Sequence, residues 1–144
     1  MRLGYPVRKE YAREYLANLD RPYSHADLRV IGEYQQDQAA QMEPSPILCD
    51  TDAVTLKVWQ DLRYPQGEDV ITPIIESYEM TKRLYLLLEP DLPWKADPLR
   101  EHPDLSDRQV IYDANLKVLQ KYACNYVSIS GQGNARLEMA MECL

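Results

Sequence analysis

The chain has 144 residues and carries 16 Lys and Arg against 23 Asp and Glu, a formal charge of -7 at pH 7. That length fits one domain over residues 1–144 with a sizeable core. The acidic balance, with its cations scattered, excludes a nucleic-acid backbone as main partner and disfavours an anionic membrane surface. No apolar run approaches the length of a spanning helix, and Met1-Arg2-Leu3-Gly4-Tyr5-Pro6 has no signal-peptide core, so a soluble cytoplasmic protein is expected. Cys49, Cys124 and Cys143 show no C-x-x-C spacing; neither a disulfide framework nor a zinc site is indicated, and they read as small buried apolar residues.

In chain order, Tyr5-Pro6-Val7 suggests a short strand. Tyr11, Tyr15, Leu16 and Leu19 recur at helical spacing and predict a helix over residues 8–19, stopped at Asp20-Arg21-Pro22. Ser24 followed by Asp27 has the pattern of a capping box and opens a second helix through Leu28, Ile31 and Tyr34 towards Met42. Its later half, Gln35-Gln36-Asp37-Gln38, should face water.

Pro44-Ser45-Pro46 then breaks the chain and delivers it into Ile47-Leu48-Cys49, an apolar run that stops at Asp50 and Asp52. A buried strand of a parallel sheet reads as such a bare run, and ligands lie beyond its carboxyl end. Carboxylates placed there suit Mg²⁺, which takes one or two protein oxygens and completes its shell with water and phosphate. The plainer reading stands beside it: Asp52 caps the following helix and Asp50 merely ends a strand.

Val54, Val58 and Leu62 recur every four residues, with Trp59 beside them, and predict an amphipathic helix to about Tyr64. Thr72-Pro73 reads as the cap and first-turn proline of another helix to about Thr81. Leu84-Tyr85-Leu86-Leu87-Leu88 is a second strand, and the proline-rich stretch over residues 89–108 has the length of a functional loop or lid. Ser106 with Gln109 suggests a further capping box, ahead of a helix with Ile111, Ala114, Val118 and Tyr122 on one face. Tyr126-Val127-Ser128-Ile129-Ser130 is a third strand, and Gly131-Gln132-Gly133-Asn134 turns into a last helix with Leu137, Met141 and Leu144 on one side. Alternating strands and helices predict an α/β fold with a parallel sheet.

Four segments in register resemble the ribosylnicotinamide kinases of the NadR family and the AAA-type ATPases related to them. They are Glu10-Tyr11-Ala12-Arg13-Glu14-Tyr15; Cys49-Asp50-Thr51-Asp52; Leu86-Leu87-Leu88-Glu89-Pro90-Asp91 running on to Trp94 and Ala96-Asp97-Pro98-Leu99-Arg100; and Tyr126-Val127-Ser128-Ile129-Ser130-Gly131 with Arg136 behind it. The resemblance implies a three-layer parallel sheet of P-loop kinase type. It implies phosphoryl transfer from ATP to a ribosyl 5′-hydroxyl such as that of ribosylnicotinamide, a step of NAD biosynthesis, or simple ATP hydrolysis, with ATP and Mg²⁺ as cofactors.

By the same resemblance, Asp50 would order Mg²⁺ or accept the hydroxyl proton, and Asp52 beside it would line the substrate pocket. Glu10 and Arg13 would face the acceptor. Arg100 and Arg108 would belong to a lid over the phosphates, and Gly131 to Asn134 would lie near adenine. Phosphoryl transfer is largely positioning and charge neutralisation, which suits arginine's fixed fork. Read as residues alone, Arg13 is a helix-face charge paired with nearby acids, Arg100 a loop charge, Tyr23 and Trp94 packing residues, and His25 and His102 surface residues.

The sequence departs from the family in one respect that matters. G-x-x-x-x-G-K-[ST] is absent: Lys9, Lys57, Lys82, Lys95, Lys117 and Lys121 are each followed by something other than Ser or Thr. Pro98 also stands where the lid usually has glycine. The expectation is a domain truncated at its N-terminus, with first strand, phosphate loop and first helix missing, and inactive in this form. In an expected order 2-3-1-4-5, the strands at residues 47–50 and 84–88 would flank the missing one, leaving edges open to self-association. A non-catalytic remnant that binds nucleotide or protein is the alternative, and an unrelated flavodoxin-like binding domain a third.

Overall fold

The computed structural model describes residues 4–42, 46–96 and 104–144. It is mixed α/β and comprises two compact units, Met1–Tyr78 and Glu79–Leu144. Among the described residues, no helix is long and apolar enough to cross a membrane.

In the first unit, β1 (Val7–Arg8) runs parallel to β2 (Leu48–Cys49), with Val7 opposite Leu48 and Arg8 opposite Cys49. Helices α1 (Tyr11–Ala17), α2 (His25–Gln41), α3 (Ala53–Arg63) and α4 (Thr72–Glu76) complete it. α2 is central, packing on α1, α3, α4 and β1. Leu28 and Ile31 of α2 meet Val54, Leu56 and Val58 of α3 and Ile71, Ile74 and Ile75 around α4 as the buried core. Gly32 sets how closely these helices approach, because a Cβ there would stand 2.8 Å from Ile74 Cδ1 and 3.3 Å from Leu56 Cδ1.

The capping box at the start of α2 forms as expected, the Ser24 N–H donating to the Asp27 carboxylate at 2.7 Å. Asp27 is 3% exposed, and its carboxylate also accepts from Arg21, at 2.8 and 2.9 Å, and from the Tyr15 hydroxyl at 2.8 Å. Arg21 above all, then the Ser24 N–H and the Tyr15 hydroxyl, hold the Asp27 carboxyl well below the usual carboxylate range against the opposing effect of burial. A second polar knot lies under α3. Lys57 donates to Asp61 and Asp69, each at 2.8 Å; Gln60 donates to Asp69 at 2.9 Å. Burial opposes charge on Lys57, but the two carboxylates outweigh it and raise its pKa.

Several expectations are corrected in this unit. Arg8 belongs to β1, and α1 begins only at Tyr11. Gln35 does not face water but is 2% exposed, because the buried ridge of α2 continues from Leu28 through Ile31 and Gly32 to 35 in steps of three or four. Leu62 is exposed rather than part of the α3 stripe. α4 is one short turn ending at Ser77, and its first N–H groups are capped by Asp69, which accepts from Ile71, Thr72 and the Thr72 hydroxyl. Cys49 is exposed, since its strand has one neighbour and turns that side chain outward.

In the second unit, β3 (Tyr85–Leu88) and β4 (Tyr126–Ile129) pair in parallel with Tyr85 opposite Tyr126 and Leu88 opposite Ile129. The ladder continues through Tyr85 N to Asn125 O and Glu89 N to Ile129 O, each 2.9 Å. α5 (Leu105–Lys121) packs on β3 and α6 (Gly133–Met141) on β4. α5 starts from Asp104, so Ser106 lies inside the helix instead of capping it. Leu137 and Leu144 stay exposed, and no residue of α6 is buried.

Candidate functional site

The carboxyl end of β1 and β2 gathers the first group of expected residues. The parallel ladder closes with the Asp50 N–H donating to Arg8 O at 2.9 Å, which fixes Asp50 at the strand end, where its residue is exposed. The next residue, Thr51, takes φ 66°, and this left-handed turn swings the chain into α3. Asp52 then caps the helix: its Oδ1 accepts from the Val54 N–H at 2.9 Å, and the residue is buried. The two acids thus part company, one facing outward and one engaged in structure.

Glu10 stands at the N-cap of α1 and forms an ion pair with Arg13, whose Nε donates to Glu10 Oε2 at 2.9 Å. Both side chains are partly exposed. The paired-helix-face reading of Arg13 is therefore the one observed, and the pair stands just beyond β1. The neighbouring cation that sequence reasoning passed over is Arg8. It is 6% exposed, donates through one terminal nitrogen to Lys9 O at 3.4 Å and through the other to Thr51 O, and its Nε is buried without a partner. Its one sequence signal was its place directly after the short strand read at Tyr5-Pro6-Val7, two residues before Glu10.

A metal would find one carboxylate here. Among the described residues no group of three or more His, Cys, Asp or Glu is placed to hold an ion. Asp50 alone fits Mg²⁺ in the manner that leaves most of the shell to water and phosphate. Mg²⁺ so held would neutralise phosphate charge, and Asp50 would be its protein ligand.

The second unit carries the remaining expected residues, with Arg100 outside the described ones. Arg108 lies in the first turn of α5, donates to Leu92 O at 2.7 Å and sits 6.0 Å from the Trp94 ring, so it ties the helix to the loop after β3. Gly131, at φ 90°, turns the chain beyond β4, but its N–H is taken by the Asp91 carboxylate at 2.6 Å. Asn134 is exposed near the start of α6.

Asp91 and Arg136 were not among the expected site residues. Arg136 donates to Asp91 Oδ1 at 2.5 Å, to Gly131 O at 3.1 Å and to Glu89 O at 3.0 Å, clamping the loop after β3 to the turn after β4. The Gly131 N–H first and Arg136 with it lower the Asp91 pKa. Pro90-Asp91 directly behind a strand and Arg136 behind a glycine turn were the available signals. The remaining aromatics pack: Tyr23 meets Tyr64 edge-on with ring centroids 6.2 Å apart, and His25 lies 5.8 Å from Tyr64. His102 lies outside the described residues.

A shallow cleft of about 380 Å³ on the first unit, between Arg29, Glu33, Glu68, Asp69 and Ser77, includes none of the expected residues. Arg29 is paired there with Glu33 and Asp69 with Lys57.

No curated protein matches the sequence. The family model for an AAA domain matches residues 1–136, nearly all of the chain. AAA-type domains handle nucleotides, generally with Mg²⁺, and the short parallel strands with an acid at a strand end are compatible with that architecture. The chain belongs to the AAA domain family.

Proposed function

We propose that this chain is an ATP-handling domain of the NadR kind, built for phosphoryl transfer from ATP to a ribosyl 5′-hydroxyl or for ATP hydrolysis. The observation that carries the reading is Asp50, exposed at the carboxyl end of a parallel strand with its N–H on Arg8 O, two residues before Glu10 in the chain. In that role Asp50 ligates Mg²⁺ or takes the hydroxyl proton, Asp52 holds the α3 start that fixes it, and the Glu10–Arg13 pair faces the acceptor. Arg100 and Arg108, the latter from the first turn of α5, act on the phosphates, and the turn from Gly131 to Asn134 receives the base. The three-layer sheet of P-loop type, in the order 2-3-1-4-5, is the architecture this reading requires. The reading draws support from the two parallel pairs, β1 with β2 and β3 with β4.

The sequence of these 144 residues contains no glycine-rich phosphate loop with Lys and Ser or Thr. Losing one preorganised donor from such a site typically lowers a rate by about 10² to 10³. The 144-residue polypeptide alone is therefore proposed to be catalytically silent and to self-associate through its strand edges. A second reading, a non-catalytic nucleotide- or protein-binding module, draws support from the same missing loop and from the Gly131 N–H, already occupied by Asp91.

Isothermal calorimetry with ATP and Mg²⁺ tests the proposal. Binding no tighter than about 1 mM, a standard free energy of about -4 kcal/mol, is expected for the 144-residue chain. A micromolar constant would overturn the claim that the chain lacks its phosphate cradle. Asp50→Asn should abolish the Mg²⁺ dependence of whatever nucleotide binding is seen; an unchanged Mg²⁺ dependence would remove Asp50 from the site.

A further inference from the structure

Several cations that hold the described residues together meet a carboxylate, whereas Arg8 and Arg108 each keep a buried Nε without a partner, and Arg8 is the more buried of the two. Arg21 has Asp27, Lys57 has Asp61 and Asp69, and Arg136 has Asp91. Arg8 is 6% exposed and has no carboxylate in ion-pair range among the described residues. Two backbone carbonyls receive its terminal nitrogens, the Lys9 one at a long 3.4 Å, and Nε has no partner. A guanidinium cannot shed its charge in a protein, and a buried charge calls for an opposite one. Carbonyl dipoles supply only part of that.

The place matters as much as the deficit. Arg8 is the last residue of β1, its carbonyl accepts from Asp50, and its guanidinium donates to the turn residue between Asp50 and Asp52. It therefore stands at the end of a parallel pair where ligands of α/β proteins lie. Of the nearby acids, Glu10 is paired with Arg13 and Asp52 accepts from the Val54 N–H, while Asp50 is exposed at the strand end.

We propose that Arg8 is a binding residue for a phosphate group of the ligand. A phosphate oxygen takes the unpartnered Nε–H, a charge-assisted hydrogen bond for which arginine is suited. This deepens the nucleotide-handling reading and rests on it for the ligand's identity, while the anion chemistry stands on Arg8 itself. The phosphate belongs either to the nucleotide chain or to a phosphorylated acceptor.

The test uses the 144-residue protein with ¹⁵N-arginine, titrated at constant ionic strength with sodium pyrophosphate, with ribose 5-phosphate and with ADP, up to about 20 mM, the range in which weak anion sites fill. The Arg8 Nε–H resonance is assigned by its loss in Arg8→Lys. Saturable movement of that resonance, with Arg21 unmoved, is the expected result. Movement with pyrophosphate assigns the site to the nucleotide phosphates, and movement with ribose 5-phosphate to the acceptor; no saturable movement with either overturns the inference. Arg8→Met should weaken pyrophosphate binding about tenfold or more. If that variant does not fold, the wild-type resonance still decides. ADP binding while the Arg8 resonance moves with none of the three ligands sinks this inference and spares the nucleotide reading. A pyrophosphate response with no gain in affinity for ADP supports Arg8 and removes the nucleotide reading.

Discussion

The two units of the molecule reach order by different means. In residues 4–78 the strands are two residues long, and the fold is held by side chains: an isoleucine-rich core under α2 and two polar knots around Asp27 and Lys57. In residues 79–144 the backbone does more, through a four-residue parallel ladder extended at both ends. There the buried apolar residues described are Val118, Leu119, Cys124 and Ile129, and α6 buries none. A ladder satisfies the strand backbone whatever side chains it carries, whereas a core of interlocking side chains is sensitive to each one.

The largest test of that contrast is a matched pair of truncations. Ile75→Ala, at a site with 0% exposure, should destabilise the first unit by about 2–5 kcal/mol in urea unfolding. Leu119→Ala in the second unit should have a smaller effect, because its looser surroundings can collapse into the space. Equal losses would break the comparison.

Acid should weaken the first unit more than the second, whose lowered carboxyl, Asp91, is more exposed than Asp27 of the first. Asp27 and Asp69 both have carboxyls held below their ordinary range, Asp27 chiefly by Arg21. At Asp69 burial opposes the shift, and Lys57, Gln60 and Thr72 overcome it. A depressed folded-state pKa gives stability that is full above the unfolded value of about 3.9 and is lost as pH falls through it towards the folded value. The urea midpoint of the first unit should therefore fall between about pH 5 and pH 3. Asp27→Asn should flatten that dependence, and an unaltered profile would show that protonation of this carboxylate does not drive the loss.

The smallest effect has the opposite sign. The Gln35 amide is buried with neither its oxygen nor its nitrogen hydrogen-bonded. An orphaned buried polar group is unfavourable by about 1–3 kcal/mol, so Gln35→Met should stabilise the protein by about 1 kcal/mol. A loss of stability would show that the amide finds partners in solution.

What was legible from sequence follows the same division. The strands at Leu48, Leu86 and Val127 announce themselves as bare apolar runs, and the order of helices follows from period-3.6 spacing and proline stops. Helix starts were harder to place, because Asp is as good a cap as Ser or Thr. Asp69 and Asp104 take positions that Thr72 and Ser106 were equally fit to fill. Gln35 was misread because polarity is a weaker guide than helical phase once the neighbours at 28, 31 and 32 are buried. At the site, the strand-end place of Asp50 was readable from the run before it. The division of labour between Asp50 and Asp52 was not, since it depends on the left-handed turn at Thr51, a residue type that rarely adopts it. The Arg136 clamp joins positions 45 residues apart, a pairing no local pattern encodes.

Gly32 has a bearing on how this domain can change over time. A methyl there would stand 2.8 Å from Ile74 Cδ1, so the end of that isoleucine would have to turn aside. What a substitution at 32 does thus depends on which side chain stands at 74, and the two positions constrain each other's history.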